Sequence, residues 1–159
     1  MPMNPMTQER WQKLKSGEDC PLCAPRSDDN QFWLKVATLS VSTLYLHKIQ
    51  TYRGYSVLVF DSRHSTCPND LTTQEWASLC NDLHIAQSAI GKVTNPDHVN
   101  VASLGNQIAH LHWHIIPRYE NDSRWGNPIW TTDEEEMEIV RLSNEEHQQL
   151  GEAIRAECI

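Results

Sequence analysis

The sequence predicts an α+β domain, with an antiparallel sheet, one long helix packed on it, and further helices near the N- and C-termini. Three observations lead to this fold class. Residues 41–49 and 55–60 are rich in β-forming side chains and flank a short turn, which indicates an antiparallel hairpin. Residues 73–93 repeat apolar side chains at helical spacing. Residues 99–104 and 110–116 are predicted as two further strands.

The long helix has a clear start signal. Thr72 and Glu75 form a capping box, in which each side chain binds a backbone N–H group of the first turn. The helix is predicted to turn one apolar face to the sheet, and this face consists of Trp76, Leu79, Cys80, Leu83, Ala86 and Ile90.

The two ends of the chain each carry a predicted helix. Residues 7–16 have helical character and are followed by Gly17, a residue typical of the position just beyond a helix. Residues 32–36 are predicted as a first strand. Residues 144–158 are predicted as the last helix, with Ser143 as its N-terminal cap.

Composition limits the class of protein. The chain has 159 residues, 39% of them apolar, which suits one packed domain and argues against disorder. The formal net charge of −8 argues against nucleic-acid binding, because phosphate contacts need clustered Lys and Arg. Much of the acidity lies in residues 133–136, which we interpret as a solvated face or a helix start.

Cysteine content and terminal pattern indicate a cytoplasmic protein. No apolar run approaches the ~20 residues that span a bilayer, and the first residues lack the pattern of a signal peptide, so no membrane association is expected. The chain has five cysteines, an odd number that favours free thiols or metal ligands over a disulfide framework.

The segment that carries most chemical information is His110-Leu-His-Trp-His-Ile-Ile-Pro-Arg118. Side chains alternate along a strand, so His110, His112 and His114 are predicted on one face and the intervening apolar residues on the core face. Two functional interpretations follow. The imidazoles are either metal ligands or catalytic groups, since a neutral imidazole attacks phosphorus and the product hydrolyses readily.

The alternating pattern of three histidines and apolar residues resembles the signature of the histidine-triad (HIT) superfamily. The resemblance extends over roughly Cys20 to Trp130, because the hairpin, the loop with His64, the long helix and the triad strand follow the family's order. Leu-Gly-Asn before the triad and Pro-Arg after it are similar to bacterial HIT proteins related to diadenosine polyphosphate hydrolases. We therefore expect a single HIT domain over residues 1–159, with a core at about 20–130 and a C-terminal helical extension at 131–159.

The resemblance implies a set of site residues. It assigns the nucleophile to His112, which takes up a nucleotidyl group and passes it to water, and it places His110 and His114 beside this residue as supporting groups. It places substrate contacts at Asn100, Gly105, Asn106 and Gln107. Arg118 is expected either to guide a substrate phosphate or to be solvated.

Two departures from the family pattern concern the substrate. Asn106-Gln107 stands where many members have a Gln-Ser or Gln-Thr step, so an amide would make that phosphate contact. The hairpin residues 47–50 include no acidic side chain for the ribose hydroxyls. The natural substrate is therefore left open by the sequence.

Cys20 and Cys23 suggest a structural zinc site. A Cys-x-x-Cys pair alone does not define one, because a structural zinc needs four ligands. Some HIT proteins complete the site with a histidine after the hairpin and the first triad histidine, here His64 and His110. Redox-active or inert thiols are the alternatives. Cys67 is a candidate substitute ligand.

The sequence therefore predicts a nucleotide hydrolase or nucleotidyl-transferase that acts on a dinucleoside polyphosphate or a nucleoside phosphoramidate. The family resemblance implies a homodimer that binds a small nucleotide. The rival interpretations are a metal-dependent hydrolase with the triad as zinc ligands, and a nucleotide-binding sensor or partner module with little turnover. Trp125 and Trp130 are expected to cover the nucleotide site, to reach a partner subunit, or to be buried in the monomer.

Overall fold

A five-stranded sheet organises the chain. The computed structural model describes residues 6–131 and 139–158. The strands are β1 (Trp33–Thr38), β2 (Ser42–His47), β3 (Ser56–Phe60), β4 (His98–Ala102) and β5 (His112–Arg118), and the helices are α1 (Gln8–Ser16), α2 (Thr73–Thr94) and α3 (Asn144–Glu157). The strand order is β1-β2-β3-β5-β4, and every neighbouring pair is antiparallel. The predicted α+β fold is confirmed.

Local sequence signals account for most helix ends. Thr72 and Glu75 form the predicted capping box, and Ser143 caps α3 with a second box. Gly17 ends α1 in the left-handed conformation, with φ of +85°. Asn95 ends α2 in the same region, which asparagine tolerates better than most residues. No helix among the residues described here has the length and apolar character needed to cross a membrane. The acidic residues 133–136 lie outside the described residues.

The two faces of the sheet differ in what covers them. Helices α2 and α3 pack on one face, around a fully buried cluster that includes Leu44, Leu58, Phe60, Leu79, Ile90, Leu111, Ile115 and Ile154. The opposite face carries a second, smaller cluster formed by Cys20, Leu22, Tyr45, Val57 and Val59. The helical core thus supports the sheet from one side, and the N-terminal loop covers part of the other.

Two sequence expectations need correction. Cys80 was expected in the core, but it is exposed, because the buried stripe of α2 runs through Leu79, Asp82, Ala86 and Ile90. The triad strand was expected to start at residue 110, but β5 starts at His112. The backbone N–H of Leu111 donates to Ser65 in the preceding loop instead of continuing the ladder.

A buried carboxylate joins α2 to the turn between β1 and β2. Asp82 is 0% exposed, and its two oxygens accept four hydrogen bonds of 2.7 to 3.1 Å. The donors are the backbone and hydroxyl groups of Ser40, the backbone of Val41 and the hydroxyl of Ser42. Burial of a carboxylate is stable only with such compensation.

We predict that Asp82→Ala lowers the free energy of unfolding by about 3 kcal/mol, because several buried donors lose their acceptor. Urea unfolding followed by tryptophan fluorescence measures this change. Asn81→Ala is the matched control, since Asn81 is the exposed neighbour on the same helix. Equal stability of the two variants would contradict the role assigned to Asp82.

Candidate active site and metal cluster

Strand β5, which lies between the central strand β3 and the edge strand β4, presents the catalytic candidates. It pairs with β3, so that His112 lies opposite Val59 and His114 opposite Val57. Trp113 points to the opposite face and packs against the helical core. His112 and His114 therefore share the face that the helices leave open, and their ring centroids lie 5.1 Å apart.

His112 has a defined tautomer. Its Nδ1 lies 2.6 Å from the backbone carbonyl oxygen of His110, which only accepts hydrogen bonds. Nδ1 therefore carries the proton, and Nε2 keeps its lone pair. The side chain is only 8% exposed, and burial lowers the pKa of the imidazole below its usual value. Such a ring is neutral at pH 7 and has one free nucleophilic nitrogen.

His114 is held from the hairpin. Its Nδ1 lies 2.8 Å from the hydroxyl of Tyr55, whose ring stacks on His47 at 4.9 Å. The edge of Trp130 approaches the His114 ring at 5.4 Å. Burial, followed by the charges of His112 and His47, lowers the pKa of His114 to about 4. We infer that the phenol donates to Nδ1, so that Nε2 of His114 carries a proton.

A separate group of four side chains has the composition of a metal site. The ligand atoms of Cys20, Cys23, His64 and His110 all lie within 4.8 Å of one another. Nδ1 of His110 is 3.4 Å from each sulfur, and Nδ1 of His64 is 3.2 Å from the sulfur of Cys23. Two thiols and two imidazoles form the N₂S₂ set that suits tetrahedral zinc.

The outer nitrogens of both imidazoles are already engaged. Nε2 of His110 donates to the carbonyl of Phe60 at 2.7 Å, and Nε2 of His64 to that of Lys15 at 3.0 Å. Carbonyl partners fix the proton on Nε2 and leave the Nδ1 lone pairs facing the two sulfurs. The four residues therefore fit a bound metal ion in ligand type, number and orientation.

The chain is similar to a known protein family and to solved structures. The family model of the HIT domain matches residues 38–121, more than half of the chain. The chain belongs to the HIT domain family. A histidine triad protein of Bradyrhizobium japonicum is 25% identical, with a TM-score of 0.74 over 87% of this chain and all of that one.

Two further proteins are similar to this chain, one in fold and one over a short stretch of sequence. A zinc-bound histidine triad family protein of Mycobacterium smegmatis shares the fold, with 16% identity and a TM-score of 0.59 over 89% of this chain and 94% of that one. The adenylylsulfatase HINT3 of Arabidopsis thaliana is 38% identical over 56 residues, which are 32% of this chain and 28% of that protein. The similarity to HINT3 therefore covers a short part of both chains.

The loop that carries Cys20 and Cys23 is fixed at two points. Arg26 donates from Nε to the hydroxyl of Tyr45 at 2.8 Å, forms an ion pair with Asp61 and binds the carbonyl of Leu22. Gly17 lies against the ring of His64, and a Cβ there would come within 3.0 Å of Cγ of that ring. Cys67 does not belong to the four-residue group among the described residues.

Arg118 does not have the environment of a phosphate-binding residue. Its side chain is 4% exposed, and Nε and Nη2 bind both oxygens of Asp122 at 2.8 Å. The remaining N–H groups donate to Oδ1 of Asn100 and to the carbonyls of Asn127 and Arg124. All five donors are used within the protein, so neither a phosphate contact nor a solvated guanidinium describes this residue.

The other expected substrate contacts differ in position. Asn100 lies on β4, and the register of β4 with β5 places it on the face of His112 and His114. Gly105, Asn106 and Gln107 lie in the loop that leads into β5, and both amide side chains are exposed. The contact of Tyr55 with His114 was missed at the sequence level, because it depends on the pairing register of two strands.

We predict that His114 stays neutral down to pH 5. An imidazole with its usual pKa near 6.5 would be mostly protonated there, whereas a pKa of about 4 leaves this ring uncharged. Imidazole ¹⁵N resonances followed against pH measure the transition, and Tyr55→Phe should redistribute the proton between Nδ1 and Nε2. Tyr119→Phe is the matched control, since its hydroxyl donates to the carbonyl of Arg53. A His114 transition near pH 6.5 would contradict the assignment.

Proposed function

We propose that this protein is a nucleotide hydrolase or nucleotidyl-transferase that works through a covalent intermediate on His112. The substrate is a dinucleoside polyphosphate or a nucleoside phosphoramidate. The observation that carries the proposal is the 2.6 Å contact between Nδ1 of His112 and the carbonyl of His110. It leaves Nε2 as an unprotonated nucleophile on the open face of the sheet.

The first step exchanges one bond at phosphorus for another. The Nε2 lone pair of His112 forms an N–P bond with the nucleotide while the bond to the leaving group breaks. A phosphate leaving group departs as an anion with the electron pair, and an amine leaving group takes a proton from solvent. The His110 carbonyl stabilises the positive charge that develops on the His112 ring.

The second step returns the enzyme to its starting state. Water attacks the phosphorus, its proton passes to solvent, and the N–P bond breaks with its electrons returning to Nε2. The Nε2–H group of His114 donates to a phosphate oxygen in both steps, because the low pKa of that ring keeps it a neutral donor.

Neutral groups contact the nucleotide in this proposal. Asn100, Gly105, Asn106 and Gln107 offer amide and backbone N–H donors close in sequence to the triad or on the adjacent strand. Gln50 is not a substitute for the missing ribose-binding acid, since its carboxamide is buried and binds the backbone of the hairpin turn. We therefore assign no residue of the hairpin segment 47–50 to recognition of the ribose.

The two rival functions differ in how well they fit the structure. A metal-dependent hydrolase that uses the whole triad as zinc ligands is disfavoured, because among the described residues only His110 of the triad joins the four-residue group. A nucleotide-binding module with little turnover keeps the same geometry. The two are separated by whether the purified protein releases product from a nucleotide that it binds.

We predict that His112→Ala lowers turnover of a diadenosine polyphosphate or of adenosine phosphoramidate by about three orders of magnitude or more, because the attacking nitrogen is removed. His114→Ala should be milder, since it removes a donor only. His84→Ala is the matched control, because His84 is exposed on α2. Product formation is measured by chromatography, and comparable turnover by His112→Ala would exclude the mechanism.

The four-residue group is proposed to hold a structural zinc ion. Cys20, Cys23, His64 and His110 would bind it, and zinc would then contribute folding free energy by joining the N-terminal loop to the sheet. No step at phosphorus requires it. His110 connects the two centres, because its ring belongs to the group and its backbone carbonyl orients His112.

We predict about one zinc ion per chain in protein purified without chelators, and its loss in Cys23→Ser together with a lower melting temperature. Elemental analysis and thermal unfolding measure the two effects. Cys80→Ser is the matched control, because that thiol is exposed on α2. Absence of zinc from the wild-type protein would exclude the assignment.

A homodimer is also proposed. Among residues 6–131 and 139–158, strand β4 pairs only with β5 and ends the sheet, so that its outer edge offers backbone groups for pairing with a second copy. Sedimentation equilibrium at micromolar concentration should give twice the chain mass of 18.3 kDa. A mass of one chain would contradict the proposal.

A further inference from the structure

The two thiols of the four-residue group differ in their access to solvent. Cys23 is exposed and lines a cavity of about 500 Å³, whereas Cys20 is only 5% exposed. The imidazoles of His64 and His110 and the ring of Tyr45 line the same cavity. A small solute that enters the cavity therefore reaches the sulfur of Cys23 before that of Cys20.

The backbone brings the two cysteines to the separation of a disulfide. The N–H of Cys23 donates to the carbonyl of Cys20 at 3.1 Å, which closes a four-residue turn. The ends of such a turn lie within about 7 Å of each other, and disulfide-bonded cysteines have Cα atoms about 4.4–6.8 Å apart. The two sulfurs are at most 4.8 Å apart. Rotation of the two side chains, without movement of the sheet, is therefore sufficient to join them.

Cationic side chains surround the exposed sulfur. Arg26, Lys35 and Arg63 line the cavity together with one acid, Asp61, and the carboxylate partners of Lys35 and Arg63 are not lining residues. Within the described part of the chain, Arg26 gives three of its five N–H groups to protein oxygens, which leaves two donors for a small ligand. Such donors stabilise an oxygen that takes up negative charge, as the leaving oxygen of a peroxide does.

We propose that Cys20 and Cys23 are a site of reversible oxidation by hydrogen peroxide, with Cys23 as the residue that reacts first. The sulfur of Cys23 attacks one peroxide oxygen, the O–O bond breaks, and the products are a sulfenic acid and water. The sulfur of Cys20 then attacks the sulfur of Cys23, the S–O bond breaks, and a second water leaves with the thiol proton of Cys20. The pair loses two electrons, which reduce the peroxide, and a thiol reductant restores both thiols.

The disulfide is incompatible with the proposed zinc site. Zinc is bound by thiolate sulfur, and a disulfide leaves only His64 and His110 of the four ligands. Oxidation should therefore release the metal. This release rests on the proposed zinc site, whereas the disulfide itself rests on the turn, the exposure of Cys23 and the separation of the two sulfurs.

Differential thiol labelling of the full chain, purified with its bound metal, tests the proposal. Limited hydrogen peroxide is followed by alkylation with one reagent, reduction, and alkylation with a second reagent of different mass. The second label should appear on Cys20 and Cys23 alone. Both lie in the tryptic peptide 16–26, so that the disulfide also appears as a loss of two hydrogen atoms before reduction. A chromogenic zinc indicator should record about one zinc ion released per disulfide.

Two variants sharpen the experiment. In Cys20→Ser the sulfenic acid of Cys23 has no thiol to attack it, so that dimedone should trap it on Cys23. Cys80→Ser is the matched control, because that thiol is exposed on α2, and its labelling of the pair should equal that of the wild type.

Four results decide against the proposal or a part of it. A second label on Cys67 or Cys80 before the pair would show that the cavity gives Cys23 no preference. Sulfinic acid on Cys23 without a disulfide would show that Cys20 does not react with it. A disulfide that forms while zinc stays bound would contradict the release. Protein without zinc as purified refutes the zinc site instead, and the labelling of the pair then decides the oxidation alone.

Discussion

The pairing of β5 with β3 at the centre of the sheet is the constraint on which the site depends. It fixes His112 opposite Val59 and His114 opposite Val57. Side chains alternate across a strand, so the same register that buries Leu111 and Ile115 under the helices must turn the two histidines to the open face. A slip of one residue would bury the imidazoles in the apolar core and expose the core residues. The register that stabilises the core is therefore also the register that places His112 on the open face.

The orientation of His112 also depends on the contacts of His110. Its Nδ1 faces the two cysteine sulfurs, its Nε2 donates to the carbonyl of Phe60, and its own carbonyl accepts from His112. Both ring nitrogens and the carbonyl of His110 are thus engaged, and the orientation of His112 follows from it. In the proposed mechanism, the four-residue group affects catalysis only by positioning His112. The hydrogen bond of His112 matters more for the proposed chemistry than any contact of the proposed zinc ligands, because it decides which nitrogen is unprotonated.

Local patterns in the sequence were sufficient for most of the fold. The capping box at Thr72, the cap at Ser143, the glycine after α1 and the alternation of the triad strand depend on residues a few positions apart, and all were predicted. Contacts between distant segments were not. The bond from Tyr55 to His114 needs the register of two strands, and the partners of Arg118 come from a loop that folds back on it. The exposure of Cys80 depends on which side of α2 packs on the sheet. The spacing of the apolar residues alone defines that side only to within one residue.

The central claim is that His112 becomes covalently nucleotidylated. The most direct measurement is rapid acid-free quenching of the wild-type protein with a labelled dinucleoside polyphosphate, followed by mass spectrometry of the intact chain and of its peptides. The account predicts a mass increase of one nucleotidyl group, located on His112, that forms and decays at rates consistent with turnover. A label on another residue, or turnover with no modified chain at any quench time, would contradict it.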